Sequence, residues 1–228
     1  MLKHFPLLHG FCGSIKYLKA VSFLLLLTVS LMLPGCSRVV LKLYGMKKIR
    51  AVEESKIIRV AEKYNIPLSD NFELDTSYFV NMLSGLSDTV KVCLPPDLKN
   101  HSQPLQLMYY DRSGWLQSFH NNCYAGGFPN LKFDRGGTFT TFPPMQRAPV
   151  DSLMPLGRQL KSLRPLKGAL IPEVEQYDYV VIVFWDIFMG RQSRRLLGFV
   201  RENCKLAADK KVKVIYVNID NAYAVFDR

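Results

Sequence analysis

Histidine is scarce in this chain, with four among 228 residues, and only His101 and His120 lie beyond the first 35. So few imidazoles leave no zinc site of ordinary ligand spacing and no His-Glu-x-x-His helix. A Gly-rich phosphate loop and a Gly-x-Ser-x-Gly nucleophile elbow are also missing, so nucleotide-dependent and serine-hydrolase chemistry has no motif to stand on. Five cysteines in a chain of this length make no disulfide framework. Asp111, Asp134, Asp151 and Asp186 are scattered without the spacing of an acid/base pair. No catalytic residue, cofactor or metal ligand is therefore assigned. Of these carboxylates only Asp186, just beyond a buried strand, has a setting that would alter its pKa, and a helix N-terminus beside it explains that position equally well.

What is present is a globule's composition. Hydrophobic residues make up 48% and aromatics 12% of the chain, enough for one sizeable core and a short appendage. Lys and Arg outnumber Asp and Glu by 30 to 19, yet the first 35 residues hold three of those cations and no acid.

Those first residues carry an address. A basic stretch is followed by the 14-residue run Ala20–Leu33, ended by Pro34-Gly35. That length suits the h-region of a signal peptide better than a membrane-spanning helix, which needs about 20 apolar residues. The sequence Leu33-Pro34-Gly35-Cys36-Ser37 resembles the lipobox of bacterial lipoproteins, although Pro34 stands where that family usually has Ala or Ser. The resemblance implies that Cys36 is acylated and becomes the first residue of the mature chain. It implies a cell-envelope protein anchored in a membrane and facing the periplasm, the alternative being an uncleaved single-pass signal anchor. Export argues against nucleic acid as a partner despite a pI near 9.5. Residues 1–35 are thus expected to be a signal peptide. Residues 36–50, with Arg38, Lys42, Lys47, Lys48 and Arg50 among apolar neighbours, are expected to be a basic tether beside the membrane.

Periodicity organises the rest. Ile57, Val60, Ala61 and Tyr64 predict a helix over 51–64 that stops at Asn65 before Pro67, and a second helix should start at Asp75 or Thr76 and pack Phe79, Met82 and Leu83. Residues 51–90 accordingly read as a helical accessory segment in front of an α/β domain over 91–228. Within that domain, 105–110 and 115–119 predict a β-hairpin turned at Gly114, and Leu153, Leu156, Leu160 and Leu163 suggest a helix over 152–165. The β-branched runs Tyr177–Phe184 and Val212–Val217 flank a helical face of Leu197, Val200, Cys204 and Ala207. This is a βαβ unit whose strands should run parallel.

The segment Phe184-Trp185-Asp186-Ile187-Phe188-Met189-Gly190-Arg191-Gln192-Ser193, followed by Val214–Asp220, resembles the thioredoxin active-site strand, motif and next strand over roughly 40 residues. Trp185 and Gly190 are its most specific parts. The resemblance puts Met189 and Gln192 where that family has its two thiols and Arg191 where it has proline, which implies loss of dithiol exchange. It also implies a cis-proline beside an antiparallel hairpin, and the chain ends too soon for these to follow the βαβ unit. Pro104 with the 105–119 hairpin is the candidate, giving a circularly permuted thioredoxin-like sheet with flanking helices. The plainer alternative is an α/β sandwich in which the hairpin is the antiparallel edge.

The function expected is that of a lipid-anchored envelope protein whose redox-inactive thioredoxin-like domain binds or supports an envelope partner. An unconventional thiol oxidoreductase using Cys123, with His120 three residues before it, or Cys93 is the alternative. Cys204 falls on an apolar helical face and reads as packing.

Overall fold

The computed structural model describes residues 45–87, 96–123, 133, 136–170 and 172–226, all within one compact unit that starts at Gly45. The signal-like segment, Cys36, Cys93 and Asp134 lie outside the described residues.

Helix α1 (Glu54–Lys63) buries Ile57 and Ala61 on one face and stops where Asn65 takes a left-handed φ of 56°. A 3-10 turn at Leu68–Asp70 leads into strand β1 (Asn71–Leu74). Helix α2 (Thr76–Ser87) follows, its start fixed by Asp75, whose carboxylate accepts the Tyr78 N–H at 2.7 Å. Helix α3 (Pro96–His101) precedes the hairpin of β2 (Gln106–Asp111) and β3 (Leu116–Asn121). Gly114 turns that hairpin with φ 79°, and Asp111 accepts the Ser113 and Trp115 N–H groups within it. Helix α4 (Leu156–Lys161) and strand β4 (Leu163–Pro165) come next. Strand β5 (Tyr179–Trp185), helix α5 (Gly190–Cys204) and strand β6 (Val212–Asn218) form the βαβ unit, and helix α6 (Asp220–Phe226) ends the described chain.

The six strands make one mixed sheet in the order β3-β2-β5-β6-β1-β4. β5, β6 and β1 are parallel, while β2 runs antiparallel to β5, β3 to β2, and β4 to β1. β5 sits at the centre because it can: Val180 through Trp185 are all buried, the pattern of a strand covered on both faces. Asn203 on α5 anchors the hairpin flank, accepting from Tyr109 Oη at 2.9 Å and donating to the carbonyls of Phe139 and Thr141.

Four expectations need correction. Residues 51–90 are not a helical accessory, because β1 is inserted between β6 and β4 and makes this segment part of the same sheet. From Gly45 onward the supposed tether belongs to the folded unit: the Lys47 N–H donates to Phe188 O at 2.7 Å, and Met46 and Ile49 pack on the core. The helix over 152–165 is confined to 156–161 by Pro155 before it and by Ser162, and Leu163 instead enters an edge strand paired with Leu74. The one cis bond among the described residues precedes Pro143, not Pro104. The chain enters β2 directly from α3, and the Gln106 amide holds the carbonyls of His101 and Gln103 at 2.8 and 2.7 Å, which fixes that exit with a trans Pro104.

Candidate functional site

In a sheet of this kind ligands favour the carboxyl ends of the parallel strands. There β5 ends at Trp185, β6 at Asn218, and the loops beyond them meet through an Ile219 N–H donated to Trp185 O at 3.1 Å. Trp185 is fully buried, with Tyr64 of the α1 end edge-on to it at 5.8 Å.

Two carboxyl groups lie under this end of the sheet. Asp186, at 0% exposure, accepts the Met189 N–H through Oδ1 at 2.5 Å, and its backbone is braced by Ser193, whose hydroxyl accepts the Asp186 N–H and donates to the Asp186 carbonyl. Its Oδ2 has no partner. Asp220 accepts the Ile187 N–H and the Asn218 amide, both at 2.8 Å, through Oδ2. Burial, followed by the charge of Asp220, pushes Asp186 well above the usual carboxylate range, and burial also raises Asp220. Their hydrogen bonds shape the β5–α5 loop, and Asp220 also lines a cavity at this end of the sheet.

The loop and the start of α5 carry the Met189–Gln192 segment. Met189 precedes the first turn of α5 and is 3% exposed, and Gln192 within that turn is 1% exposed. Gly190 is required by close approach: a Cβ there would meet Tyr64 Oη at 2.7 Å, and that hydroxyl donates to Gly190 O at 3.0 Å. Arg191 is exposed and lies against Gly45, and the Arg194 guanidinium sits over the Tyr64 ring at 5.4 Å.

Above this floor the segment 45–52 crosses as a strap. The Asn221 side chain clamps Val52 from both sides, accepting its N–H at 2.7 Å and donating to its carbonyl at 2.9 Å. Asn221 also donates to buried Glu73 at 2.5 Å, and Glu73 pairs with Arg164. Two adjoining cavities open beside the strap and share Lys47. One, of about 370 Å³, has Lys47, Lys48, Arg50 and Lys56 around an apolar floor that includes Ile187 and Phe188. The other, of about 310 Å³, lies between Tyr64, Gly190, Arg191 and Arg194.

The thiols are elsewhere. Cys204, in the last turn of α5, is half-buried, and burial pushes it up to about 11, so it stays a neutral thiol. Cys123 follows β3 as a free thiol. His120 is fully buried, lies 4.7 Å from the Phe139 ring, and is pushed down to about 3 by burial and then by Arg147. It carries no positive charge to offer a neighbouring thiolate. His101 instead meets Asp151, with Nε2 at 2.9 and 3.0 Å from the two carboxylate oxygens, and stacks on Phe119 at 4.8 Å. Among the described residues no three His, Cys, Asp or Glu side chains converge as a metal site, and no helix is long and apolar enough to cross a membrane.

The sequence brings Trp185, Asp186, Met189, Gly190, Arg191 and Gln192 together at the β5–α5 junction but does not reveal the part of Tyr64, Lys56, Asp220 and the strap. Met46, Ile49 and Val52, apolar at every third position, were the available signal that 45–52 packs down. No protein-family model, no curated protein and no solved structure matches the chain.

Proposed function

We propose that the chain is a lipid-anchored protein of the bacterial cell envelope whose domain is a permuted, redox-inactive thioredoxin-like fold that acts by binding. The observation carrying this reading is the composition of the β5–α5 loop: both positions at which the family would hold a thiol are occupied by buried, non-nucleophilic Met189 and Gln192. The permuted arrangement requires the hairpin beside the motif strand, with Pro104 at the motif's end of the sheet. The pairing of Gln106 with Phe184 supports this. The order of elements from β2 to β6 also supports it, since a ββα portion precedes the βαβ unit, although β4 is an addition to that order. The trans Pro104 is a departure from the family's pattern. The oxidoreductase alternative gains nothing from His120, which is neutral and buried.

The test is the intact mass of protein purified from its native membrane, alkylated after denaturation with and without prior reduction. A chain beginning at Cys36 with added acyl mass, and equal alkylation in both samples, is expected. An uncleaved chain overturns the lipoprotein reading; extra alkylation after reduction shows a disulfide, and a disulfide among Cys93, Cys123 and Cys204 that a mild dithiol reduces and reoxidises reversibly overturns the redox-inactive one.

A further inference from the structure

Of the two cavities at the carboxyl ends of β5 and β6, the one under the strap gathers four cations against one acid among the described residues. Lys47, Lys48 and Arg50 are exposed on the strap, and Lys56 joins them from α1. Among the described residues none of these four stands in an ion pair, whereas Lys205 pairs with Glu202 and Lys213 with Asp70. Among the described residues the one acid lining this cavity is Asp220, which is 2% exposed, accepts the Ile187 N–H and the Asn218 amide, and feels the charge of Lys56. Arg191 and Arg194 line the adjoining space. The plain alternative, a row of solvated surface lysines, leaves two features unexplained. The cations border a concavity with an apolar floor of Val52, Val60, Ile187 and Phe188. The strap that carries three of them is also fixed in place, by the Lys47 N–H on Phe188 O and by the Asn221 clamp on Val52, so its charges are arranged before any ligand arrives.

A cationic rim over an apolar floor suits an amphipathic anion. Its source follows from where the chain comes in. Gly45 lines the second cavity and lies nine residues after Cys36, a stretch that reaches at most about 30 Å when extended and itself carries Arg38 and Lys42. We propose that this cleft docks on the phosphate head groups of anionic phospholipids in the bilayer that holds the anchor, turning the α5 N-terminal end of the domain toward the membrane. The inference rests on the lipid-anchored reading and extends it. The anchor holds the protein at the surface, and the cleft orients it there.

Full-length protein carrying its native modification, placed in nanodiscs of phosphatidylcholine alone or mixed with phosphatidylglycerol, tests this by the rate of lysine acylation read by mass spectrometry. Lys47, Lys48 and Lys56 are expected to react at least fivefold more slowly in the anionic discs, with Lys210 and Lys211 unchanged and the difference lost at high salt. Taking each cation near an anionic surface as about fivefold in affinity, K47Q/K48Q/R50Q should weaken docking by on the order of 100-fold and leave Lys56 unprotected. These three residues are exposed, so their loss leaves the core intact. Equal labelling in the two kinds of disc overturns the proposal, as does protection by inorganic phosphate alone in neutral discs, which would make the ligand a free anion. Intact mass of the same sample separates the two levels. An acylated chain without protection overturns the cleft alone, and protection of an unacylated chain upholds the cleft while overturning the anchor.

Discussion

The loop end of the central strands and the hairpin flank both bury titratable side chains, but they do so in opposite senses. Under the loop, Asp186 and Asp220 are pushed upward, so the folded state favours their protonated forms. Beside the hairpin, His120 is pushed down to about 3 and is held neutral. Burial alone would raise Asp151 there as well, but the hydrogen bonds and charge of His101 outweigh it and keep Asp151 below its ordinary value. One end of the molecule therefore loses stability as pH rises above the ordinary carboxylate range, and the other as pH falls below the ordinary imidazole range. The lesson is that burial of an ionisable group says little until its partners are named.

The largest expected effect comes from what both regions share. Trp185→Ala empties a fully buried site at the end of β5, next to Tyr64, and should cost about 3–5 kcal/mol in denaturant unfolding. A loss under about 1 kcal/mol would mean that this end of the sheet is not a packed core.

The next two substitutions separate the regions by pH. Asp186 has a folded pKa above its unfolded value of about 3.9, so its contribution is intact below that pH and is lost as pH rises toward the folded value, at about 1.4 kcal/mol per unit for one proton. Asp186→Asn mimics the protonated acid and should flatten the decline in stability as pH rises above about 4. For His120 the sign reverses: the unfolded chain takes up a proton below about 6.5 and the folded one does not, so stability falls between there and about 3. His120→Phe fills the same place against Phe139 and discards two ring nitrogens without partners, and it should remove that acid slope. If either variant flattened the other limb instead, the contrast between the two regions would fail.

Smaller effects sharpen the contrast. Gly190→Ala must displace the Tyr64 hydroxyl and its bond to the Gly190 carbonyl, costing about 1–3 kcal/mol in thermal or urea unfolding. Cys204→Ser, on the hairpin side of α5, should change stability by less than about 1.5 kcal/mol and leave every binding readout alone, because the thiol is half-buried and neutral.

The sequence was most legible where one physical signal dominated. β5, β6 and α5 announced themselves through β-branched runs around an amphipathic helix, and Gly114 marked the hairpin. The rest was hidden for identifiable reasons. β1 has four residues, and two of them, Asn71 and Glu73, are polar and buried, so neither alternation nor an apolar run exposes it. β4 ends in Pro165 and borrows a leucine from the preceding helical pattern, tolerable only because it is an edge strand. On the loop, Asp186 stood out by its place after a buried strand. Asp220 and Tyr64 reach the same point from positions 34 and 122 residues away in the chain, and no local pattern encodes such a meeting. The strap was misread because its cations suit a tether as well as a cleft, and what distinguishes the two is long-range: the Asn221 clamp, the Lys47 N–H on Phe188 O, and the packing of Met46 and Ile49.

The central claim is that this end of the molecule binds rather than exchanges thiols. Its most direct test is lysine protection in anionic nanodiscs measured on full-length C93S/C123S/C204S protein, with Cys36 left in place. Protection of Lys47, Lys48 and Lys56 equal to that of the unsubstituted chain is the expected result. Protection that disappears with those thiols would contradict it.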